Sequence, residues 1–202
     1  MKNSKESIRL FENPILESLT KTNALFVIAT LALISLSILL FGIIKIKLSI
    51  LGYIALFLSG TFVYTLAEYL IHRFIYHSAE YKNPKKLIFK IHGMHHTTPR
   101  DKQRLVLPLP VSIPLAGLFI FIFWLIIGKY VFIFFPGFLM GYSYYLSLHY
   151  FIHTTKPPKN FFSYLWKHHL LHHYKNETVA YGLTFPLWDI IFGTMPKDKK
   201  IE

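Results

Sequence analysis

Four uncharged, strongly apolar runs alternate with polar and basic segments along this chain. A hydrocarbon core about 30 Å thick is crossed by about 20 helical residues, so each run is long enough to span a bilayer. Lys45 and Lys47 separate the first two runs, and Lys129 separates the last two. The pattern predicts four transmembrane helices, arranged as two helical hairpins, over residues 23–44, 48–67, 105–128 and 130–148.

The segments between the apolar runs divide the rest of the chain. In the first polar segment, Leu87, Ile88 and Ile91 would give a helix from Lys85 to His96 one apolar face, as expected of a helix lying at a membrane interface. We therefore expect one all-α membrane domain over residues 1–202. Its parts are a polar N-terminal segment (1–22), a first helix pair (23–71), a first histidine-rich segment (72–104), a second helix pair (105–153) and a second histidine-rich segment (154–202).

The distribution of charge predicts the orientation of these helices. The formal charge is +12, but Lys and Arg flank apolar runs instead of forming a compact basic domain, so a membrane explains them better than nucleic acid does. Four spans would place 19 of the 22 Lys and Arg residues on the side that carries every histidine. The positive-inside rule then makes that side cytosolic.

The two ends of the sequence bear on its location. The first 22 residues lack the short apolar core of a removable signal peptide, so we expect the first span to direct insertion. Lys199 and Lys200 resemble a dilysine retrieval signal of the endoplasmic reticulum. A bacterial inner membrane fits a Lys-rich terminus equally well, and both locations stay open.

All eleven histidines lie in two short regions, residues 72–96 and 149–173. Three-histidine sets at spacing i, i+3, i+4 occur in both regions and would share one helical face. His72 and His77 are five apart, about 140° round an α-helix, so one of them should lie where its helix ends. The candidate ligands are His72, His77, His92, His95, His96, His149, His153, His169, His172 and His173, whereas His168 points about 100° away from His169 and is left out.

Ten imidazoles are too many for one tetrahedral zinc ion, and two metal ions with about five histidines each fit the count. The chain has no cysteine, which excludes thiolate-ligated clusters and disulfides. A pH-sensing cluster is an alternative, but ten protonated imidazoles on converging faces would repel one another. A dinuclear metal site in a helical cap explains the pattern better, because metals bind neutral imidazole.

The histidines and their neighbours resemble the fatty acid hydroxylase / sterol desaturase superfamily, and are most similar to fatty acid 2-hydroxylases. The resemblance covers roughly residues 64–195. It is carried by Glu68-Tyr69-Leu70-Ile71-His72-Arg73-Phe74 with His77, by His92-Gly93-Met94-His95-His96 with Pro99, Asp101 and Arg104, by His149-Tyr150-Phe151-Ile152-His153, by His169-Leu170-Leu171-His172-His173, and by Trp188-Asp189 with Phe192-Gly193-Thr194.

The resemblance implies a dinuclear centre bound by those ten histidines and O2-dependent hydroxylation at carbon 2 of a fatty acid or of a sphingolipid acyl chain. Iron is the expected working metal, although zinc binds more tightly and could occupy an isolated sample. No histidine remains outside the motifs to ligate a haem, so we expect electrons from a separate cytochrome b5 or ferredoxin-type donor with its reductase. Within the superfamily, a desaturase or a sterol or carotenoid hydroxylase stays open.

Other polar and aromatic residues are candidates for roles around the metals and the substrate. Glu68, four residues before His72, could orient that imidazole or could instead pair with Arg73. Arg104, Lys175 and nearby Lys residues could hold an acyl carboxylate or a lipid headgroup, but general attraction to anionic lipid is the simpler role for them. The further candidates are Asp101 and Asp189 beside the ligands, and Arg104, Tyr145, Lys175 and Trp188 around a lipid substrate. A metal transporter or sensor is a different class, but it would place His or acids within the spans, and the four apolar runs have none.

Overall fold

The computed structural model describes residues 7–196, and within that range the chain is helical with no β-strand. Residues 1–6 and 197–202, which include Lys199 and Lys200, lie outside the described part. A short helix α1, Pro14–Leu19, precedes the long helix α2, Ala24–Lys45. Asn13 and Asn23 cap these two helices by accepting hydrogen bonds from backbone N–H groups of the first turn.

Among residues 7–196, three helical stretches are long and apolar enough to cross a membrane: Ala24–Lys45, Ile50–Tyr76 and Leu109–Thr154. The second consists of α3, Ile50–Leu70, extended by a π-helical turn, Ile71–Tyr76. The third folds back on itself, since α5, Leu109–Ile127, is joined to α6, Val131–Thr154, through a 3₁₀ turn. Gly128 makes this reversal possible with a φ of +56°, a backbone conformation that suits glycine.

Helix α6 is the central element of the apolar core and packs against α2, α3 and α5. Its closest approach to α3 is made by Gly60 and Gly137: a Cβ on Gly60 would lie 1.9 Å from the carbonyl oxygen of Phe134, and one on Gly137 would lie 1.9 Å from that of Phe57. Small residues let membrane helices approach this closely. This contact fixes α3 against α6. His72 lies in the π-helical turn that extends α3, and His149 lies in α6.

The remaining helices form a cap over one end of this bundle. They are a second π-helical turn, Phe89–Gly93, followed by α4, Met94–Thr97, then α7, Ser163–Tyr174, and α8, Leu187–Ile191. The expected helix over 85–96 is shorter than predicted, because residues 81–86 form turns. The third apolar run also becomes helical only at Leu109, since residues 105–108 are irregular before Pro108 and Pro110, whereas the fourth continues past the apolar run to Thr154.

Candidate metal centre

The ten candidate histidines converge in two groups of five, and within each group one ring nitrogen per residue lies within 4.8 Å of every other. Group one is drawn mainly from the first region and takes one residue from the second; group two is the reverse. Group one contains His72, His77, His92, His96 and His172, and group two contains His95, His149, His153, His169 and His173.

Each three-histidine motif is divided between the groups. His92 and His96, four residues apart, belong to group one, while His95 reaches into group two. In α7 the division is inverted, because His172 alone joins group one. The expectation that each motif presents three imidazoles to one face is therefore refined: positions i and i+4 serve one group, and position i+3 serves the other. This exchange links the two regions.

The first π-helical turn brings His72 and His77 together. The backbone N–H of His77 donates to the carbonyl of His72 at 3.1 Å, an i to i+5 hydrogen bond that places residues five apart on the same side. Their ring centroids are 5.0 Å apart. His77 also ends the helix, as the sequence predicted. An ordinary α-helix would have directed the two rings apart.

The second π-helical turn depends on a glycine. A Cβ on Gly93 would lie 2.0 Å from the backbone carbonyl oxygen of Tyr81. Only glycine allows the segment that carries His92 and His95 to pack against residue 81 at this distance. The turn therefore sets the depth at which α4 presents its histidines.

The distances between ring nitrogens fit a shared metal ion. Successive Nε2 atoms in group one are 2.9–3.2 Å apart, and those in group two 2.9–3.1 Å apart. Two nitrogens bound about 2.1 Å from one ion at right angles would be about 3.0 Å apart. The Nε2 atom of His72 is buried and has no hydrogen-bond partner among residues 7–196. A cation bound among these nitrogens would satisfy it.

Backbone carbonyls orient three of the imidazoles through Nδ1. His72 donates to the carbonyl of Tyr181 at 2.7 Å, and His172 donates to that of Val179 at 2.7 Å. In group two, His149 donates to the carbonyl of Leu105 at 2.9 Å. Such bonds place the proton on Nδ1 and leave Nε2 free to bind a metal.

Burial keeps the cap imidazoles neutral. Burial, reinforced by the neighbouring imidazoles, lowers the pKa of His96 to about 3, and burial together with His72 and His96 lowers the pKa of His77 to about 2. The same causes hold the pKa of His92, His95 and His173 well below the ordinary value. Neutral imidazole is the form that binds metals, so the site is ready to bind at neutral pH.

Asp189 holds the centre of the 179–184 segment, at Tyr181 and Gly182, in place. Its side chain is fully buried and accepts hydrogen bonds from the backbone N–H groups of Tyr181 and Gly182, from Nε2 of His168 and from the hydroxyl of Thr194. Burial opposes its ionisation, but these hydrogen bonds lower its pKa. Asp189 thus acts on His72 through the backbone of Tyr181, and His168, left out of the ligand set, supports Asp189.

Glu68 does not hydrogen bond to His72 or pair with Arg73, the two roles that the sequence suggested. Its carboxylate accepts hydrogen bonds from the backbone N–H groups of Leu183 and Thr184, at 2.7 and 3.1 Å, and from the Thr184 hydroxyl. Arg73 instead donates to the hydroxyl of Tyr69. The physical reason is that the 183–184 backbone is buried against α3 and needs an acceptor there.

Asp101 and Arg104 form part of a structural network and not of the histidine shell. Asp101 accepts a hydrogen bond from the backbone N–H of Gln103, and its second oxygen lies 3.6 Å from Arg104 Nε. Arg104 is buried and pairs with Glu17. Its charge is therefore neutralised within the protein, and these contacts give no support to a role in holding a substrate headgroup.

A narrow cavity of about 70 Å³ reaches His72 from the apolar core between α3, α5 and α6. Its wall is mainly aliphatic and aromatic and includes Phe138, Tyr142 and Tyr145. The ring of Tyr145 also stacks on His149, with centroids 5.6 Å apart and planes 11° apart. The cavity thus ends beside both histidine groups, and the placement of Tyr145 agrees with the role suggested for it.

Trp188 and Lys175 lie away from this cavity. Trp188 is buried between α3 and α8, where its indole N–H donates to the hydroxyl of Thr65 and its ring packs on Phe62. Lys175 ends α7 and is exposed. Neither residue lines the cavity, so the structure gives no support to a substrate-binding role for them.

Sequence reasoning missed the backbone groups of residues 179–184 and the carbonyl of Leu105. Backbone carbonyls carry no residue signature, so their contacts with imidazoles could not be found by motif. One conformational feature marks the segment: Ala180 has a φ of +59°, is buried, and donates its N–H to the carbonyl of Thr194. Residues other than glycine rarely adopt this left-handed backbone conformation, and those that do are often found at functional sites.

The segment that carries the two histidine groups is similar to known proteins. The fatty acid hydroxylase family model matches residues 57–194. Fatty acid 2-hydroxylase of Rattus norvegicus is 35% identical over 148 residues, which cover 71% of this chain and 40% of the relative. Ceramide very long chain fatty acid hydroxylase scs7 of Schizosaccharomyces pombe is 35% identical over 70% of this chain and 42% of its own length.

A solved structure is similar over nearly the whole chain. It is described as full-length scs7p with only the hydroxylase domain visible, and it aligns with a TM-score of 0.83 and 33% identity over 94% of this chain and 72% of that one. The chain spans about 40% of the length of the curated relatives named above. The family model spans both histidine groups and more than half of the chain, and the chain therefore belongs to the fatty acid hydroxylase family.

Proposed function

We propose that this chain is a membrane-embedded, O2-dependent hydroxylase that adds a hydroxyl group at carbon 2 of a fatty acid or of the N-acyl chain of a sphingolipid. One observation carries the proposal: two groups of five buried or half-buried imidazoles lie together, and one of them, His72, lines an apolar cavity. The names of the relatives, a fatty acid 2-hydroxylase and a ceramide fatty acid hydroxylase, support the choice of reaction and substrate.

The metal ligands in this proposal are the ten histidines. Unactivated C–H bonds resist acid–base chemistry, and a bound pair of redox metals, with iron expected and O2 as co-substrate, would supply the reactivity that side chains lack. The carbonyls of Tyr181, Val179 and Leu105 hold imidazoles in the orientation and tautomer that bind metal. Seven of the ten ligands are buried, which would limit the access of water to the reacting atoms.

The cavity supports an apolar substrate. Its wall is mainly aliphatic and aromatic, which suits the methylene groups of an acyl chain. The stacking of Tyr145 on His149 places one cavity wall directly against group two. The carbon to be oxidised would therefore lie between the two groups.

The membrane arrangement that fits this proposal has four spans. Aromatic pairs such as Phe119 with Phe138 and Phe123 with Phe134 pack α5 antiparallel to α6, which supports a third and a fourth crossing. The excess of Lys and Arg at the histidine end supports a cytosolic cap. A cytosolic cap would be accessible to a separate electron donor, cytochrome b5 or a ferredoxin-type protein with its reductase.

Product analysis tests the proposal. Iron-loaded protein is reconstituted in lipid with a reductase system, and acyl chains are analysed by mass spectrometry with and without O2. We expect an O2-dependent hydroxyl at carbon 2, and its loss in His95→Ala, which removes a group-two imidazole. A new double bond would instead indicate a desaturase. Absence of any O2-dependent oxygen gain on acyl chains would reject hydroxylation.

A further inference from the structure

A second apolar depression lies beside the cap, outside the cavity described above. This interfacial groove, about 240 Å³ in volume, is bounded on one side by residues 10–20 and on the other by residues 87–94 and 104–111. The first side lies outside the 57–194 family match. The groove therefore depends on a part of the chain that the family resemblance does not explain.

The N-terminal strap, residues 7–22, is fixed over this groove by polar contacts centred on the buried side chain of Arg104. Arg104 donates to the hydroxyls of Ser7 and Thr20, at 2.9 and 2.7 Å, and pairs with Glu17. The other oxygen of Glu17 accepts hydrogen bonds from the backbone N–H groups of Leu10 and Phe11, at 2.9 and 3.1 Å. One arginine thus closes the strap against the segment that precedes α5.

The surroundings of the groove point to a lipid as its occupant. Leu16 and Leu19 are each 47% exposed, Leu87 is 68% exposed and Val111 is 42% exposed. Val111 lies in the first turn of α5, a helix that belongs to a candidate membrane span, so this exposed apolar rim is at the depth where the span meets the cap. An apolar rim at that depth is suited to acyl chains and not to a water-soluble partner.

Leu107 is common to the wall of the groove and the wall of the cavity beneath His72. It lines both spaces and is only half-buried. It belongs to the irregular stretch before α5, and its carbonyl accepts a hydrogen bond from the hydroxyl of Ser112 at 3.0 Å, a residue of the cavity wall. Its backbone is therefore held in place, and Leu107 is part of the wall of both spaces.

We infer that the interfacial groove takes the acyl chain of a membrane lipid from the bilayer and passes it over Leu107 into the cavity that ends at His72. This inference rests on the proposed function for the identity of the substrate. The N-terminal strap forms the outer wall of the route, and the Leu107 side chain sets its width.

Photo-crosslinking tests the route without relying on turnover. The full chain, loaded with metal in lipid nanodiscs, is incubated with a fatty acid that carries an aliphatic diazirine, irradiated, digested and analysed by mass spectrometry. Label is expected on groove peptides, residues 10–19 and 87–94, and on cavity residues Phe138 and Tyr142. In Leu107→Trp, cavity labelling should fall about tenfold while groove labelling persists, because the larger ring obstructs the passage.

Two further variants control for folding. Leu118→Trp introduces the same ring on the exposed face of α5 and should leave both labels and the metal content unchanged. Leu107→Ala widens the passage and should raise cavity labelling by a probe with a branched chain. Wild-type protein labelled in the cavity but not in the groove, or a Leu107→Trp protein that keeps full metal content and full cavity labelling, would overturn the inference. Intact labelling with no hydroxylated product would reject the proposed reaction but leave the route standing.

Discussion

Replacing Asp189 with Asn should weaken one metal site and spare the other. Asp189 accepts two hydrogen bonds on each carboxylate oxygen, from Tyr181 and Thr194 on one and from Gly182 and His168 on the other. An amide nitrogen cannot accept, so either orientation of Asn leaves a buried backbone N–H, of Tyr181 or of Gly182, without its acceptor. A buried donor without a partner costs about 1–3 kcal/mol of folding stability.

The same substitution should lower the metal affinity of one histidine group and not of the other. The 179–184 segment supplies the carbonyls that orient His72 and His172, both in group one, whereas His149 of group two is oriented by Leu105. Loss of such outer contacts lowers metal affinity about 10–100-fold. We therefore expect one of two bound ions to weaken by that factor in D189N and the other to remain as in wild type.

Metal titration of the metal-free protein against a competing chelator measures both affinities. Asp101→Asn is the matched control, a buried carboxylate of the cap whose partners are Gln103 and Arg104 and not the 179–184 segment. It should leave the affinity of group one unchanged. Equal weakening of both sites in D189N, or a loss of stability with both affinities intact, would refute the reasoning.

Three other predictions follow from the described contacts. Gly60→Ala should destabilise the protein by about 1–3 kcal/mol in detergent unfolding, because the added Cβ meets a backbone carbonyl of α6, whereas Gly117→Ala, where nothing lies within 4 Å, should not. His172→Ala and His95→Ala should each weaken a different ion, and weakening of the same ion would contradict the exchange between motifs. The unfolding temperature of the metal-free protein should fall as the pH is lowered from about 6.5 towards 3. The reason is that the folded pKa of His96 is about 3, so the unfolded chain binds the proton first as the pH falls. An unfolding temperature that stays constant across that window would show that the imidazoles are not buried together.

Long apolar runs and histidine positions could be predicted from sequence because each depends on local pattern. The first run ends within one residue of α2, and the ten histidines chosen by spacing are the ten that converge. The division of His95 from His92 and His96 could not be predicted. It depends on how α4 and α7 lie between the two groups, which is tertiary geometry.

The contacts of Glu68 and Arg104 could not be predicted, for one physical reason. Charge and sequence proximity suggest local partners, yet each residue contacts a distant one: Glu68 holds the backbone of residues 183–184, and Arg104 pairs with Glu17. A buried charge must find a compensating group, and in this fold that group comes from a segment far away in sequence. The π-helical turns could not be predicted for a related reason, because they depend on how Gly93 and His72 pack against residues distant in sequence.

X-ray absorption at the metal edge, on holoprotein of known metal content, tests the central claim most directly. The ten imidazoles of the two groups predict two ions per chain, each surrounded by about five nitrogen ligands at about 2.0–2.2 Å. A single ion per chain, or a shell made mainly of carboxylate oxygens, would contradict the account.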